Sequence, residues 1–178
     1  MKKIKKVIFN IEKLNKKTGE AVSWLVLSMA LTAFFVVLLR YFYNIGFVWM
    51  QESYIWMHGL IFLFGASYAL MNDKHVRVDI FYRLTSEKIK ALINIIFSIL
   101  FLIPFIIVIS KYSIPYILKS WDGLEKSREA GGIPFLYLYK SCLLLFCINL
   151  FFQTISLIFR CLLVLSNKEK KIFFKLIN

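Results

Sequence analysis

The chain has 178 residues, of which 60% are hydrophobic and 17% aromatic, and its formal net charge is +13. Soluble domains are usually about half apolar, so this composition excludes an ordinary water-soluble domain and predicts a protein embedded in a membrane. The basic residues stand outside the apolar runs, as they do beside membrane helices, which argues against a nucleic-acid partner. The three cysteines lie in or beside one apolar run without a CxxC pair, and this pattern predicts neither a zinc site nor a disulfide framework.

The first twenty residues predict an amphipathic helix that lies in the membrane interface. Lysines occupy one face, and the apolar residues recur at helical spacing on the other: Ile4, Val7, Ile8, Ile11 and Leu14. A cationic amphipathic helix of this kind buries its apolar face among the lipid headgroups. A basic tail that only orients the chain is the alternative, because so short a helix is marginal by itself.

Four runs of 19 residues without Asp, Glu, Lys or Arg follow: 21–39, 53–71, 91–109 and 141–159. At about 1.5 Å per residue, each run covers roughly 28 Å, which is close to the hydrocarbon thickness of a bilayer. The first run is not followed by a small-residue cleavage position, so we expect it to stay attached. The sequence therefore predicts an all-α integral membrane protein, with four transmembrane helices and an N-terminal interfacial helix (1–20) in a single domain over residues 1–178.

The orientation follows from the basic residues. Lys and Arg number seven before the first run, one between the first and second, and five in each of the three remaining segments. Because basic residues accumulate on the cytoplasmic side of a membrane, this distribution predicts that both termini are cytoplasmic. Residues 110–140 then form a long loop on the outer side.

Polar residues inside the fourth run recur at helical spacing. Asn149 and Gln153 lie on a face that continues to Ser156 and Arg160. No charged residue accompanies Asn149 and Gln153 inside the run, so hydrogen bonds between helices are favoured over the alternative, a polar lining for a substrate path.

A second face combines Gln51 with His58 and Gly65 of the second run, where a small residue allows another helix to approach closely. His58 could also be a haem ligand or a proton relay. A haem would need paired histidines within the spans, and the only other histidine, His75, falls in a cytoplasmic loop. Proton relays usually include carboxylates, which all four runs lack. Both chemical roles are therefore disfavoured relative to packing.

The absence of charge from the runs also bears on function. A carrier that works alone needs a polar site near the midplane, commonly built from repeated, broken helices, and the sequence has neither a repeat nor a charged residue inside its runs. It also lacks a glycine-rich phosphate loop, a metal-binding cluster and a nucleophile with its base. We therefore predict no catalysis and a membrane component that supports another protein's chemistry. A standalone channel or carrier and a membrane anchor for a redox enzyme are the alternatives.

Four motifs in chain order resemble the small membrane subunit (DctQ-like) of tripartite ATP-independent periplasmic (TRAP) transporters. They are Arg40 after the first run, WMQES (49–53) at the start of the second, HVRVD (75–79) after it, and GGIPFLYLYK (131–140) before the fourth. The family often has two acids after the tryptophan, whereas this chain has Gln51 followed by Glu52. A paired-acid role therefore does not carry over to Gln51.

The resemblance implies a subunit of a sodium-coupled transporter in the bacterial inner membrane. A large permease subunit would bind the substrate and sodium and move as an elevator, while this chain enlarges the fixed scaffold and binds no cofactor itself. A soluble periplasmic binding protein would deliver a carboxylate, such as a dicarboxylate, a keto acid or sialic acid. Membrane lipids complete the set of expected partners.

On this frame Arg40 and Glu52 are the charged residues between the first two spans. The sequence predicts either that they pair or that they act separately, with Arg40 reaching the headgroups and Glu52 near the positive end of a helix. Trp49 and Trp56 are seven residues apart on one helical face, where they would hold Glu52 in the interfacial zone.

The two longer loops hold further candidates. In the cytoplasmic loop, His75 and Asp79 are candidates for contact with the large subunit, with a solvated loop as the alternative. In the periplasmic loop, polar residues and a turn are candidates for docking the binding protein, with a structural cap over the bundle as the alternative. They are Trp121, Asp122, Glu125, Arg128, Glu129, Gly132 and Pro134.

Overall fold

A computed structural model of the protein describes residues 2–74, 82 and 85–173. It contains four long helices, which are α1 (Lys2–Tyr43), α2 (Val48–Met71), α3 (Glu87–Asp122) and α4 (Leu136–Leu165). Each helix is long and apolar enough to cross a membrane, and the described residues contain no strand. The predicted all-α class with four spanning helices is therefore confirmed.

The end of α1 follows from local backbone chemistry. Asn44, the first residue after the helix, has a positive φ of 52°, which asparagine tolerates better than most residues. The chain turns there, and the N–H of Ile45 donates to the carbonyl of Leu39 at 3.2 Å. Asn44, in a left-handed conformation, thus ends the helix, and the carbonyl of Leu39 in its last turn still accepts a hydrogen bond.

Helix α3 contains one π-helical segment, Ser98–Leu102, near its middle. The segment lies just before Pro104, which has no N–H to donate to the preceding turn. The helix begins after Ser86, whose Oγ accepts a hydrogen bond from the N–H of Ile89 at 3.5 Å, so Ser86 acts as the N-cap.

Helix α4 is the centre of the bundle, because α1, α2 and α3 all pack against it. Helices α1 and α2 also pack along each other, and Gly19 permits this contact, since a Cβ there would lie 2.3 Å from Cδ2 of Tyr68. Large apolar side chains such as Trp24 and Phe62 stay exposed, as expected where lipid replaces water. The core consists of Leu70, Ala91, Ile106, Phe146, Cys147, Leu150, Leu157, Cys161, Val164 and Ile172.

The helices extend beyond the predicted spans. The predicted interfacial helix (1–20) and the first span (21–39) form one uninterrupted helix. The predicted outer loop (110–140) is reduced to residues 123–135, because α3 continues to Asp122 and α4 begins at Leu136. A charge-free run marks the part of a helix that fits the hydrocarbon, and the same helix can continue through the interface with polar residues.

The N-terminal half of α1 packs on the bundle through a face that mixes apolar and polar residues. Ile8 is 0% exposed and lies on this face with the buried Glu12 and Asn15, whereas Ile4, Val7 and Leu14 of the apolar stripe are exposed. The predicted stripe is thus divided between the bundle and its outside, and contact of the exposed part with a membrane interface stays a prediction.

Candidate functional site: polar clusters at the two ends of the bundle

A buried ion pair joins α1 to α4. The guanidinium of Arg160 donates from Nε to Oε1 of Glu12 at 2.5 Å and from Nη2 to Oε2 at 2.6 Å. The hydroxyl of Ser156 donates to the same carboxylate at 3.1 Å. Glu12 is 3% exposed and Arg160 is 5% exposed, so this bidentate pair is shielded from water. Charge-assisted hydrogen bonds are strongest in such a low-dielectric environment.

The same surface continues with a pair of amides. Nδ2 of Asn15 donates to Oε1 of Gln153 at 2.5 Å, one turn along α1 from Glu12 and two turns along α4 from Arg160. We call these five residues (Glu12, Asn15, Gln153, Ser156 and Arg160) the Arg160 cluster. It fixes the position of α1 along α4, because sliding either helix would separate several hydrogen bonds at once.

The Arg160 cluster also holds the segment that follows α4. Nη1 of Arg160 donates to the carbonyl of Ile172 at 2.9 Å, and the N–H of Ile172 donates to Oε2 of Glu87 at the start of α3 at 3.3 Å. Lys5 near the start of α1 pairs with Glu169. Three helices and this segment are therefore tied together at one end of the bundle.

The face predicted from Asn149 to Arg160 does lie between helices. Gln153 and Ser156 form hydrogen bonds to α1, and Asn149 is buried although its Nδ2 has no hydrogen-bond partner among the described residues. The sequence showed no charged residue beside Asn149 and Gln153 within the run, but α1 brings the carboxylate of Glu12 against the same face at Ser156 and Arg160. Glu12 was missed because it precedes the charge-free run, yet Glu12, Asn15 and Gly19 form a polar stripe at helical spacing.

At the other end of the bundle, Glu52 holds the loop between α3 and α4. Its carboxylate accepts a hydrogen bond from the hydroxyl of Ser127 and another from the N–H of Ile133, the latter at 2.6 Å. We call Glu52, Ser127, Gly132 and Ile133 the Glu52 cluster. A Cβ on Gly132 would lie 2.4 Å from Oγ of Ser127 and 2.7 Å from Oε2 of Glu52, so only glycine fits this position without displacing its neighbours.

The predicted pair of Arg40 and Glu52 is not formed in the structure. Glu52 is occupied by the loop, and Arg40 is an exposed residue in the last turn of α1. Trp56 stacks on Tyr139 of α4 with ring centroids 4.8 Å apart, whereas Trp49 is half-exposed. Proximity along the chain suggested Arg40, but the loop supplies two donors that the carboxylate can accept together.

A second ion pair joins the loop to the start of α4. The ammonium of Lys140, a buried residue, donates to Glu125, which also accepts from the hydroxyl of Ser120 at 2.7 Å. Nζ of Lys140 lies 4.1 Å from the ring centroid of Tyr116. The hydrogen bonds from Lys140 and Ser120 lower the pKa of Glu125 below its usual 4.5. The ion pair is therefore present while the pH is above this lowered pKa, and it is lost as the pH falls through it.

The residues predicted to dock a binding protein therefore divide into two groups. Glu125 is engaged within the chain, as is Trp121, whose Nε1 donates to Oγ of Ser141 at 2.8 Å. Gly132 belongs to the Glu52 cluster. Exposed side chains remain at this end of the molecule: Asp122, Arg128, Glu129 and Pro134.

The predicted seam through Gln51, His58 and Gly65 does not coincide with a close helix contact. His58 is exposed, and a Cβ added at Gly65 would have nothing within 4 Å. Close approach occurs instead at Gly19 and at Gly59, where a Cβ would lie 1.8 Å from the hydroxyl of Tyr139. Gln51 is half-buried beside Gly46.

Two of the predicted residues, His75 and Asp79, lie outside the described residues. Within the part of the chain that the structure describes, no group of three or more His, Cys, Asp or Glu side chains is placed to hold a metal ion. The polar clusters thus act on helix and loop positions, through contacts that the chain makes with itself.

Comparison with protein families identifies a match over most of the chain. The model described as "Tripartite ATP-independent periplasmic transporters, DctQ component" matches residues 29–163, which is more than half of the chain. No curated protein and no solved structure is similar enough to match. The matched residues include the Glu52 cluster and Arg160, whereas Glu12 and Asn15 precede them.

Proposed function

Because the chain belongs to the DctQ family of tripartite ATP-independent periplasmic transporter components, it is a small membrane subunit of such a transporter, and we propose that it is the fixed scaffold for the large permease subunit. The observation that carries this proposal is the Arg160 cluster, where a buried bidentate ion pair locks α1 onto α4. The Glu52 cluster holds the loop at the opposite end. Both ends of the central helix are thereby restrained.

A scaffold has to keep its shape while its partner moves. Charge-assisted hydrogen bonds are directional, and in a low-dielectric setting each is costly to break without a substitute. A shift of α1 by one turn would leave both Glu12 and Arg160 without their partners. We infer that elevator motion takes place between the two membrane subunits and that helices α1 to α4 keep their positions relative to one another.

The substrate and the ion belong to the partners in this proposal. The transported molecule is a carboxylate, such as a dicarboxylate, a keto acid or sialic acid, and sodium binds in the large subunit. A periplasmic binding protein delivers the substrate to the side where the loop 123–135 lies. The distribution of basic residues supports the corresponding orientation in a bacterial inner membrane, with both termini cytoplasmic.

A cross-link between α1 and α4 tests the scaffold role. Cysteines replace Asn15 and Gln153, whose side chains are in contact, in a variant whose three native cysteines have been changed to alanine. A short thiol-reactive cross-linker is then applied to the complex with the large subunit in proteoliposomes. Because a fixed body needs no motion between α1 and α4, we expect the uptake rate to be unchanged after cross-linking.

The readout is uptake of a labelled carboxylate, chosen from a panel of dicarboxylates, keto acids and sialic acid in the presence of the binding protein. The two single-cysteine variants control for modification alone, and a cleavable linker shows whether any change is reversible. Uptake that falls on cross-linking and returns on cleavage would contradict a fixed scaffold. A panel in which no carboxylate is transported would contradict the substrate class.

The exposed acids at the loop end test docking of the binding protein. Changing Asp122 and Glu129 to lysine reverses two exposed charges and leaves the ion pair of Lys140 intact. Glu129 contacts Ser127 and Gly132 of the Glu52 cluster through its backbone, which the substitution keeps. If the binding protein docks here, the concentration of binding protein that gives half-maximal uptake should rise several-fold. Charges at the edge of an interface mainly affect the rate at which the two proteins associate. Reversal of Glu125 is unsuitable, since it would break a contact within the chain.

The matched control for docking is Glu20→Lys, an exposed acid far along α1 from the loop. It should leave the dependence on binding protein unchanged. An unchanged dependence in the Asp122→Lys/Glu129→Lys variant as well would favour the alternative, in which the loop only caps the bundle.

A further inference from the structure

An opening lies between α2 and α3 on the surface of α4. Both helices pack against α4, but near the loop 123–135 they leave a cavity of about 480 Å³ between them. This volume falls within the range of about 300–1,000 Å³ that is usual for sites of small organic ligands.

The walls of the cavity are apolar and open to the side. Phe62 and Leu63 of α2, Tyr116 of α3, and Leu136 and Leu143 of α4 line it. Phe62 is 72% exposed. Leu63 and Leu143 belong to two of the charge-free runs, 53–71 and 141–159, so the walls lie at a depth where hydrocarbon is the available solvent.

The rim of the cavity is charged. Glu125, Arg128 and Lys140 line it, and Glu125 and Lys140 neutralise each other as an ion pair. Arg128 is exposed and is not part of a salt bridge among the described residues, although its charge also acts on Glu125. The three rim residues together therefore carry one net positive charge at the mouth of an apolar opening. A guanidinium binds phosphate well because its donors match two oxygens.

We propose that this opening binds one anionic phospholipid of the outer leaflet, with its phosphate at Arg128 and an acyl chain along Phe62, Leu63 and Leu143. The lipid fills the gap that α2 and α3 leave over α4 and so completes that wall of the bundle. This inference rests on the chain spanning a membrane in the orientation proposed above, and it is independent of whether the subunit is a fixed scaffold.

Native mass spectrometry of the complex with the large subunit tests the proposal. The complex is reconstituted in nanodiscs of phosphatidylglycerol or of phosphatidylcholine and then released with bound lipid. We expect one phosphatidylglycerol to be retained per small subunit, in preference to phosphatidylcholine. Arg128→Gln should lower retention by roughly tenfold or more, the effect of losing one hydrogen bond to a charged group, and Leu143→Trp should abolish it by filling the cavity.

The matched control is Arg40→Gln, which removes another exposed cation near the same end of the molecule but not at the opening. It should retain the lipid as the native chain does. Equal retention by the native chain and by Arg128→Gln would overturn the proposal, as would equal retention of the two lipids.

A photoreactive phenylalanine analogue at position 62 distinguishes the occupants and does not depend on the folding of Leu143→Trp. Phospholipid adducts at this position support the proposal. Adducts with the large subunit in place of lipid would overturn it and would show that a helix of that partner fills the opening. Neither result changes the outcome of the α1–α4 cross-linking test, so the lipid site and the fixed scaffold can be refuted independently of each other.

Discussion

Replacing Arg160 with methionine is expected to destabilise the subunit by about 3–5 kcal/mol, because the carboxylate of Glu12 then stays buried without its partner. The change also removes the donor to the carbonyl of Ile172. Glu12→Leu should be damaging for the same reason, with the guanidinium as the unpaired charge. The double variant Glu12→Leu/Arg160→Met should be far less damaging than either single change, since a buried ion pair can often be replaced by apolar residues of similar size.

The measurement is a thermal melt of the purified subunit in detergent, followed by the fraction that stays monodisperse, for the two single variants and the double variant. The ion pair of Lys5 and Glu169 is the matched control, because it also involves α1 and the C-terminal side of the protein but is partly exposed, at 34% and 21%. Lys5→Met should cost no more than about 1 kcal/mol. A double variant as unstable as the sum of the singles would show that Glu12 and Arg160 are not coupled.

The second large effect is expected at Gly19. Alanine there would place its Cβ 2.3 Å from Cδ2 and 2.5 Å from Cγ of Tyr68. These atoms are close to the backbone of α2 and cannot swing away as the tip of a side chain could, so α1 and α2 have to separate. We expect Gly19→Ala to destabilise the subunit by about 1–3 kcal/mol, despite the better helix propensity of alanine.

Gly65→Ala is the matched control, since Gly65 is also a helical glycine but its Cβ would have nothing within 4 Å. It should be neutral or stabilise the subunit by up to about 1 kcal/mol through helix propensity alone. Thermal melts of the two variants side by side give the test. A loss of stability at Gly65 with none at Gly19 would support the face predicted from the sequence over the contact in the structure.

The sequence was sufficient to find the four membrane-spanning helices. It was not sufficient to predict which sides of these helices contact each other. Charge-free runs reveal where a helix can cross hydrocarbon, so the four helices were found. Which side of α2 meets another helix depends on how the helices cross. The local spacing of small residues indicated Gly65, whereas α2 makes its close contacts at Gly59, against Tyr139, and at Tyr68, against Gly19 of α1. Single-helix patterns do not contain the crossing geometry.

The charged contacts illustrate the same limit. Arg160 was placed correctly on the polar face of the fourth span, but its partner Glu12 is 148 residues away. For Glu52 the nearby Arg40 was the natural candidate, and the actual donors lie 75 and 81 residues along the chain. Pairings over such distances depend on the assembled bundle, and one sequence gives no direct signal of them.

The π-helical segment of α3 affects how relatives should be aligned with this chain. Buried residues of α3 recur every seven residues from Ala91 to Ser98 and from Ile106 to Ser113, but eight residues separate Ser98 from Ile106. In a regular helix, residues that are eight positions apart differ in direction by about 80° around the helix axis. The buried face of the second half would therefore be turned away from α4. The segment Ser98–Leu102 absorbs that extra residue. A relative with one residue fewer here could therefore keep both halves of α3 against α4, and a single-residue gap at this point would mark the loss of the π turn.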